Sequence, residues 1–430
     1  MRARYVAAAG LVLALAVATS TAAARTSAPK RASADKITIW LMDDAQKGWP
    51  SVVAAATRAF QVKHPGVEVD VQYQQWTQHL TKLDAALAGG NAPDVTEMGN
   101  TETFKYIKAK AFTALNQKAY PNSKTWISGL EESCKSGNRL YCVPYYAGAR
   151  AVIYRKDFYK KAGIKGTAKT LDAFVADGRK LMKKYGKDKA FSAYYHPGKN
   201  WYASMAFVYD YGGAIARYKK GRWVGTLNSP QAMKGLTRLK AMVGQLSRAS
   251  KTVDEAHPYP SIPMARGKAA SFIGSSWEWP YTLDPKVGDP KLAKFLGAYP
   301  MPSHIKGRFM PTLLGGSTLA IPTASRNRGL AADWIKAFTA TNQQRSLIRI
   351  SGWVPNTTTL VPVLKTNPQA EPFARAAKYS FSVPPAANWA SVESSNVLQN
   401  MLSSIFTGRA SIQKATTSAS AQITRILNTR

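Results

Sequence analysis

Apolar positions along this chain follow two rhythms, and they alternate from residue 37 onward. Ile37-Thr38-Ile39-Trp40 is a short β-type run that ends at the acidic pair Asp43-Asp44. Trp49-Pro50 opens a stretch in which Val53, Ala56 and Phe60 recur at helical spacing, and His64-Pro65-Gly66 stops it. Val67, Val69, Val71 and Tyr73 then alternate with polar residues, which predicts a strand. Thr77 to Ala88 predicts a helix, with Leu80, Leu83 and Leu87 three or four residues apart and Gly89-Gly90 closing it. Pro93-Asp94-Val95 begins the next strand. The order β-α-β-α-β predicts an α/β fold with a mostly parallel sheet.

The stretch from Pro144 to Asp157 divides the chain. It starts with a Pro and two rings, Tyr145 and Tyr146, passes through Gly148 and ends in the apolar run Ala151 to Tyr154. Pro restricts φ and Gly relaxes it, so the stretch reads as a crossover between two lobes. Beyond it come a helix from Thr170 to Tyr185 and an aromatic run from Phe191 to Tyr211. Another helix is opened by Asn228-Ser229-Pro230 and carries Met233, Leu236, Leu239 and Val243. A helix from Gly329 to Thr339 and two amphipathic helices, near Ser394 to Phe406 and Ser411 to Leu427, complete the set. A chain of 430 residues exceeds one ordinary core, so two lobes are expected. The expected division is 36–147 with 313–352, and 148–312 with 353–430.

Charge adds a second possibility for the partner. Lys and Arg number 59 against 24 Asp and Glu, a formal net charge of +35. That excess fits a polyanion such as nucleic acid or an anionic cell wall or membrane surface, but the basic residues are spread along the chain as on a solvated surface. The start of the chain has the pattern of a signal peptide over 1–24: Arg2 and Arg4, an apolar run from Val6 to Ala18, then Ala22-Ala23-Ala24. A polar leader, 25–35, follows. Export implies an oxidising compartment, where Cys134 and Cys142 can form a disulfide across the Gly137-Asn138 turn. Two free thiols are the alternative.

Catalytic patterns are missing. The five histidines show no metal spacing, no cysteine cluster exists, and there is neither a Gly-x-Ser-x-Gly elbow nor a phosphate loop. No metal or cofactor is expected, and no enzyme activity; the alternative, a carbohydrate-active enzyme, would need a carboxylate pair drawn from Asp43-Asp44, Glu131-Glu132 and Glu278. What the chain has instead is 11 Trp and 20 Tyr, several beside small polar residues. Flat rings cover the C–H faces of a pyranose, while carboxylates, amides and guanidinium groups bind its hydroxyl rim. Trp334 and Phe338 read as core residues. Trp277 in Gly274-Ser-Ser-Trp-Glu278, Trp201-Tyr202 after Pro197-Gly198, and Trp353 after Gly352 read as loop aromatics.

Six motifs in register resemble one family. They are Ala86-Leu-Ala-Gly-Gly-Asn-Ala-Pro-Asp-Val95, Tyr154 to Ile164 with Thr170-Leu-Asp-Ala-Phe174, and Met264 to Trp277, then Leu313-Leu-Gly-Gly-Ser-Thr-Leu-Ala-Ile-Pro322, the helix from Gly329, and Gly352-Trp353-Val-Pro355. From Ile37 onward the chain resembles the extracellular solute-binding proteins of ABC importers, in the branch that carries sugars. Trp40-Leu-Met42, Gln74-Gln-Trp76, Tyr145 to Arg150 and Pro197 to Met205 resemble its actinobacterial chitobiose-binding group.

The resemblance implies a two-lobed, type II periplasmic-binding-protein fold with a ligand cleft between the lobes. It implies an oligosaccharide ligand, first N,N'-diacetylchitobiose or another disaccharide, and permease subunits as partners of a monomer. The implied cleft residues are Asp43, Asp44, Gln75, Trp76, Asn100, Tyr146 and Arg150, then Trp201, Trp277, Glu278, Gly315, Gly316, Trp353 and Trp389. Closure is expected about crossovers near Tyr146, Leu314 and Trp353. Relatives often have Asp where Gly148 stands, and Trp where Ser317 stands. Single-membrane relatives usually carry a lipobox cysteine after the leader. Here no Cys precedes Cys134, so retention at the cell surface is expected to be electrostatic.

Overall fold

The computed structural model describes residues 36–429, so the expected signal peptide and leader lie outside the described residues. Among the described residues nine strands form the two principal sheets. In chain order they are β1 (Lys36–Met42), β2 (Glu68–Gln74), β3 (Val95–Gly99), β4 (Cys142–Gly148) and β5 (Arg150–Arg155), then β6 (Ser271–Ser275), β7 (Leu296–Tyr299), β8 (Gly315–Ala320) and β9 (Val354–Pro355).

The first lobe is built on a six-stranded sheet in the order β9-β4-β8-β3-β1-β2. β1 pairs in parallel with β2 and β3. β8 runs antiparallel to both β3 and β4, because it re-enters the sheet from the second lobe. Ile37, Ile39 and Leu41, alternate residues of β1, are fully buried. The helix Pro50–Lys63 starts on its Pro and buries Val52, Val53, Ala56 and Phe60 against Trp334 and Phe338. The disulfide Cys134–Cys142 closes the small hairpin beside β4.

The second lobe has a smaller, antiparallel sheet with β5 between β6 and β7. Helices surround it. Thr170 caps Leu171–Tyr185 by accepting from the Ala173 N–H at 3.1 Å, and Ser229 caps Pro230–Leu246 in the same way. Phe174, Phe207, Leu239, Leu402 and Ile423 lie in its core. The segment after Trp353 does not move directly to this lobe, as the sequence reading had it. Leu360, Leu364 and Ala374 pack in the first core, and Phe381 and Val383 are in the second. Periodicity shows that such a segment is buried but not which of two cores buries it.

Three chain crossings lie side by side between the lobes. At the first, β4 runs into β5 through Gly148, Ala149 and Arg150. At the second, Thr312 and Leu313 lead into β8, where Gly315 pairs with Gly148 and Gly316 with Ala147. At the third, Ser380 and Phe381 pair in parallel with Thr312 and Leu313, and the Leu314 N–H donates to the Phe381 carbonyl at 3.0 Å. Gly316 has φ +145°, and a Cβ there would stand 2.2 Å from the Tyr146 carbonyl oxygen. Gly329, at the start of the helix Arg328–Phe338, has nothing within 4 Å of such a Cβ. Gly316→Ala is therefore expected to cost more than about 2 kcal/mol in chemical denaturation, while Gly329→Ala stays within about 1 kcal/mol of the parent protein. Equal effects would show that close approach at the crossing does not matter.

Candidate functional site

The ends of the first-lobe strands converge on one side of the crossings. β1 ends in Asp43 and Asp44, which start the short helix Asp43–Gly48. Asp43 pairs with Lys47. Asp44 accepts a hydrogen bond from the Trp76 indole N–H at 2.7 Å, which fixes the half-exposed Trp76 ring just beyond β2. Gln75 beside it is exposed. Burial, with Asp43 adjacent, raises the Asp44 pKa against the pull of the Trp76 donor.

Glu97 is at the floor of this wall. It is buried inside β3, and its Oε2 accepts the Met42 N–H at 2.8 Å, holding the end of β1. Its Oε1 accepts from the Tyr146 hydroxyl at 3.4 Å. Burial pushes its pKa up to about 7, despite the Met42 donor. Tyr146 packs edge-on against Trp49 and lies 4.9 Å, centroid to centroid, from the half-buried Trp353. Trp353 in turn fills the space over Gly148, where a Cβ would meet its ring at 2.7 Å.

The second-lobe wall begins at Arg150. Its guanidinium lies over the Tyr202 ring at 4.5 Å and donates to the Leu313 carbonyl at 3.4 Å. Burial lowers its pKa, opposed by Tyr202, Glu255 and Glu278. Glu278 is buried, accepts the Ser275 N–H at 3.0 Å and is pushed up to about 8 by burial. Trp277, half-buried, meets Tyr259 and Tyr281 edge-on at 5.3 and 5.5 Å. Groups also meet across the lobes. Glu393 feels the Thr101 hydroxyl and Glu102 of the first lobe, and burial holds its pKa up at about 8. Lys47 of the first lobe lies within electrostatic reach of Tyr281.

Two expected cleft rings are elsewhere. Trp201 is 2% exposed and Trp389 is fully buried, and their centroids lie 6.0 Å apart in the second core. Trp201 follows the Asn200 cap and turns inward with the apolar face of its helix, so Tyr202 stacks over it and faces Arg150 in its place. Asn100 is also buried. Its side chain donates to the Leu314 carbonyl at 3.0 Å, and its N–H donates to the Gly316 carbonyl at 2.9 Å, which makes it a clamp on the crossing. Gly315 and Gly316 are part of the same crossing.

The sequence reading missed Glu97, Glu102, His79, Glu255 and Glu393. Glu97 had a usable signal, a carboxylate inside the apolar strand Val95–Gly99. His79 ties Trp76 to Glu102, with Nδ1 2.7 Å from the Trp76 carbonyl oxygen and Nε2 2.8 Å from Glu102 Oε2. Among the described residues no group of three or more His, Cys, Asp or Glu could hold a metal ion. The site is thus a set of aromatic rings and hydrogen-bonding carboxyl groups on two walls that share three crossings.

A family model for bacterial extracellular solute-binding proteins matches residues 40–345, which include the wall residues from Asp43 to Glu278. The chain belongs to this family. This solute-binding protein is 30% identical over 387 residues to the diacetylchitobiose-binding protein DasA of Streptomyces coelicolor, covering 88% of each chain. It is 22% identical over 343 residues to the multiple sugar-binding protein of Streptococcus mutans, covering 77% of this chain and 78% of that one. The sugar-binding protein MalE of Xanthomonas citri superposes with a TM-score of 0.78 at 20% identity, over 91% of this chain and 97% of the other. The two-lobed type II fold expected from the sequence is the fold this solute-binding protein has.

The pKa of Glu97 gives a pH prediction. Its folded value, about 7, lies above the ordinary 4.5, so the folded protein binds the extra proton between them. Its contribution to stability is therefore present below about pH 4.5 and is lost as pH rises through 7. Relative to Glu97→Gln, the parent protein is expected to lose on the order of 3 kcal/mol between pH 4.5 and 7.5 in ligand-free denaturation. Parallel stability curves for the two proteins would remove this role.

Proposed function

We propose that this solute-binding protein is the extracytoplasmic receptor of an ABC importer, that its ligand is an oligosaccharide, and that it releases the ligand unchanged to a membrane permease. The single observation that carries the reading is the convergence, from two lobes, of partly exposed indole rings and of carboxyl groups: Trp76, Asp44 and Glu97 on one wall, and Trp277 and Glu278 on the other. A pyranose needs both kinds of surface at once. Closure of the lobes about the crossings encloses the sugar, and the extra contacts in the closed state stabilise it.

The first ligand to test is N,N'-diacetylchitobiose, because DasA, with 30% identity over 88% of the chain, carries that name. No helix among the described residues is long and apolar enough to cross a membrane. That agrees with a receptor that meets its permease from outside the bilayer.

Tryptophan fluorescence, titrated with N,N'-diacetylchitobiose, maltose, cellobiose, trehalose and xylobiose and checked by calorimetry, tests the proposal. The expected result is saturable binding of one sugar at micromolar Kd or tighter, with the sugar recovered intact. Trp277→Ala and Trp76→Ala are each expected to weaken that binding at least about tenfold, which corresponds to about 1.4 kcal/mol. Hydrolysis of the sugar would point to an enzyme, and silence towards every sugar would count against the ligand class.

A further inference from the structure

The charge of the second lobe is not evenly spread. Between Arg155 and Lys189 the chain carries twelve Lys and Arg against four Asp and no Glu. All four acids already have partners: Asp157 with Arg155, Asp172 with Arg238, Asp177 with Lys180, and Asp188 with Lys268. Lys156, Lys160, Lys161, Lys183 and Lys184 are exposed and have no carboxylate partner among the described residues.

The fold gathers these bases at one place. β5 starts at the cleft with Arg150 and ends at Arg155, roughly 17 Å away for a strand of that length. The helix Lys156–Lys161 begins at that far end. Its Phe158 packs on Tyr185, at the C-terminal end of the helix Leu171–Tyr185, with centroids 4.8 Å apart. On that longer helix Arg179 with Lys183, and Lys180 with Lys184, form two adjacent rows four residues apart, opposite the buried Phe174, Val175 and Leu181. The helix dipole accounts for a cation or two at each C-terminus but not for a group of this size.

We infer that this end of the second lobe binds a linear phosphodiester polymer of the cell envelope and so holds the protein near the cell with its cleft free. Lys156, Lys160, Lys161, Lys183 and Lys184, flexible ammonium groups without a carboxylate partner among the described residues, suit mobile, regularly spaced phosphates. A lipid surface fits less well. None of the large apolar side chains that are well exposed lies between 156 and 189, so nothing there would insert into a bilayer. Docking this end on the membrane would also turn the cleft away from a permease within it. That last step rests on the receptor reading above.

The test compares two charge-matched variants of the full chain for binding to poly(glycerol phosphate) and to phosphatidylglycerol–phosphatidylcholine vesicles. One is Lys160→Gln, Lys161→Gln, Lys183→Gln, Lys184→Gln. The other changes four exposed first-lobe lysines, Lys63, Lys110, Lys118 and Lys124, to Gln. The parent protein is expected to bind the polymer at 50 mM salt and to lose at least about tenfold in affinity by 300 mM. The second-lobe variant is expected to lose at least about tenfold at low salt, and the first-lobe variant less than about threefold. Equal losses in the two variants, no polymer binding at 50 mM salt, or tighter binding to vesicles than to polymer would each overturn the inference. Sugar titration of the same samples separates it from the receptor reading. Polymer binding through the patch by a protein that answers no sugar would sink the receptor and leave the patch standing.

Discussion

The two lobes of this protein depend on a close backbone crossing. β4 leaves the first lobe and β8 returns to it, and they pair where Gly148 faces Gly315 and Ala147 faces Gly316. At φ +145° Gly316 brings its backbone so near the Tyr146 carbonyl that no side chain fits between them. Asn100 then locks the crossing from β3, donating to backbone oxygens on both Leu314 and Gly316. Both walls start from this point. Tyr146 lies just before it in the chain and Arg150 just after, so any rotation about the crossing moves the two sides of the site relative to each other.

Polarity inside the cleft is the reverse of polarity outside. A chain of formal charge +35 places Asp44, Glu97, Glu102, Glu278 and Glu393 around its candidate site. Burying carboxylates is unfavourable, and the structure meets this in two ways. Each has a donor aimed at it, as Met42 N–H serves Glu97 and Ser275 N–H serves Glu278. Several also retain a proton to unusually high pH, which relieves repulsion among like charges. A carboxyl group in either state binds a hydroxyl, as acceptor when ionised and as donor too when protonated. Hydroxyl-rich neutral ligands therefore suit these walls over a wide pH range, and apart from Arg150 and Lys47 the cations named here lie away from the candidate site.

Much of the first lobe could be read from the chain. Ile37, Ile39 and Leu41 alternate and are buried, and the helix begun by Trp49-Pro50 buries the face that its spacing indicated. The disulfide followed from a turn between two cysteines. Side-chain direction at the ends of elements was harder to read. Trp201 and Tyr202 are adjacent aromatics, and only the entry angle of their helix decides which ring turns to the core and which to Arg150. Glu393 comes from the C-terminal helices and meets Thr101 and Glu102 from the first lobe, a contact between residues nearly 300 positions apart. No local pattern encodes such a meeting. Charge clustering was missed for the same reason, since lysines on two helices form one patch only because Phe158 packs on Tyr185.

Glycine at position 148 links shape to the crossing. With no side chain there, the Trp353 ring occupies the volume that a Cβ would take and leans on Tyr146. Tyr146 is hydrogen-bonded to Glu97, which holds the end of β1 and with it the helix carrying Asp43 and Asp44. At this position the chain has a packed column that runs from Trp353 through Tyr146 to Glu97, which holds the end of β1 beside Asp44. This column is tightly packed, because Trp353 meets Tyr146, Tyr146 is hydrogen-bonded to Glu97, and Glu97 and Tyr146 are buried. A ligand that touches Trp353 or Asp44 bears on the same set of groups beside the crossing. On the proposed reading, a ligand bound at either end of the first wall biases closure through the contacts it adds in the closed state, and this column is one route by which those contacts reach the crossing.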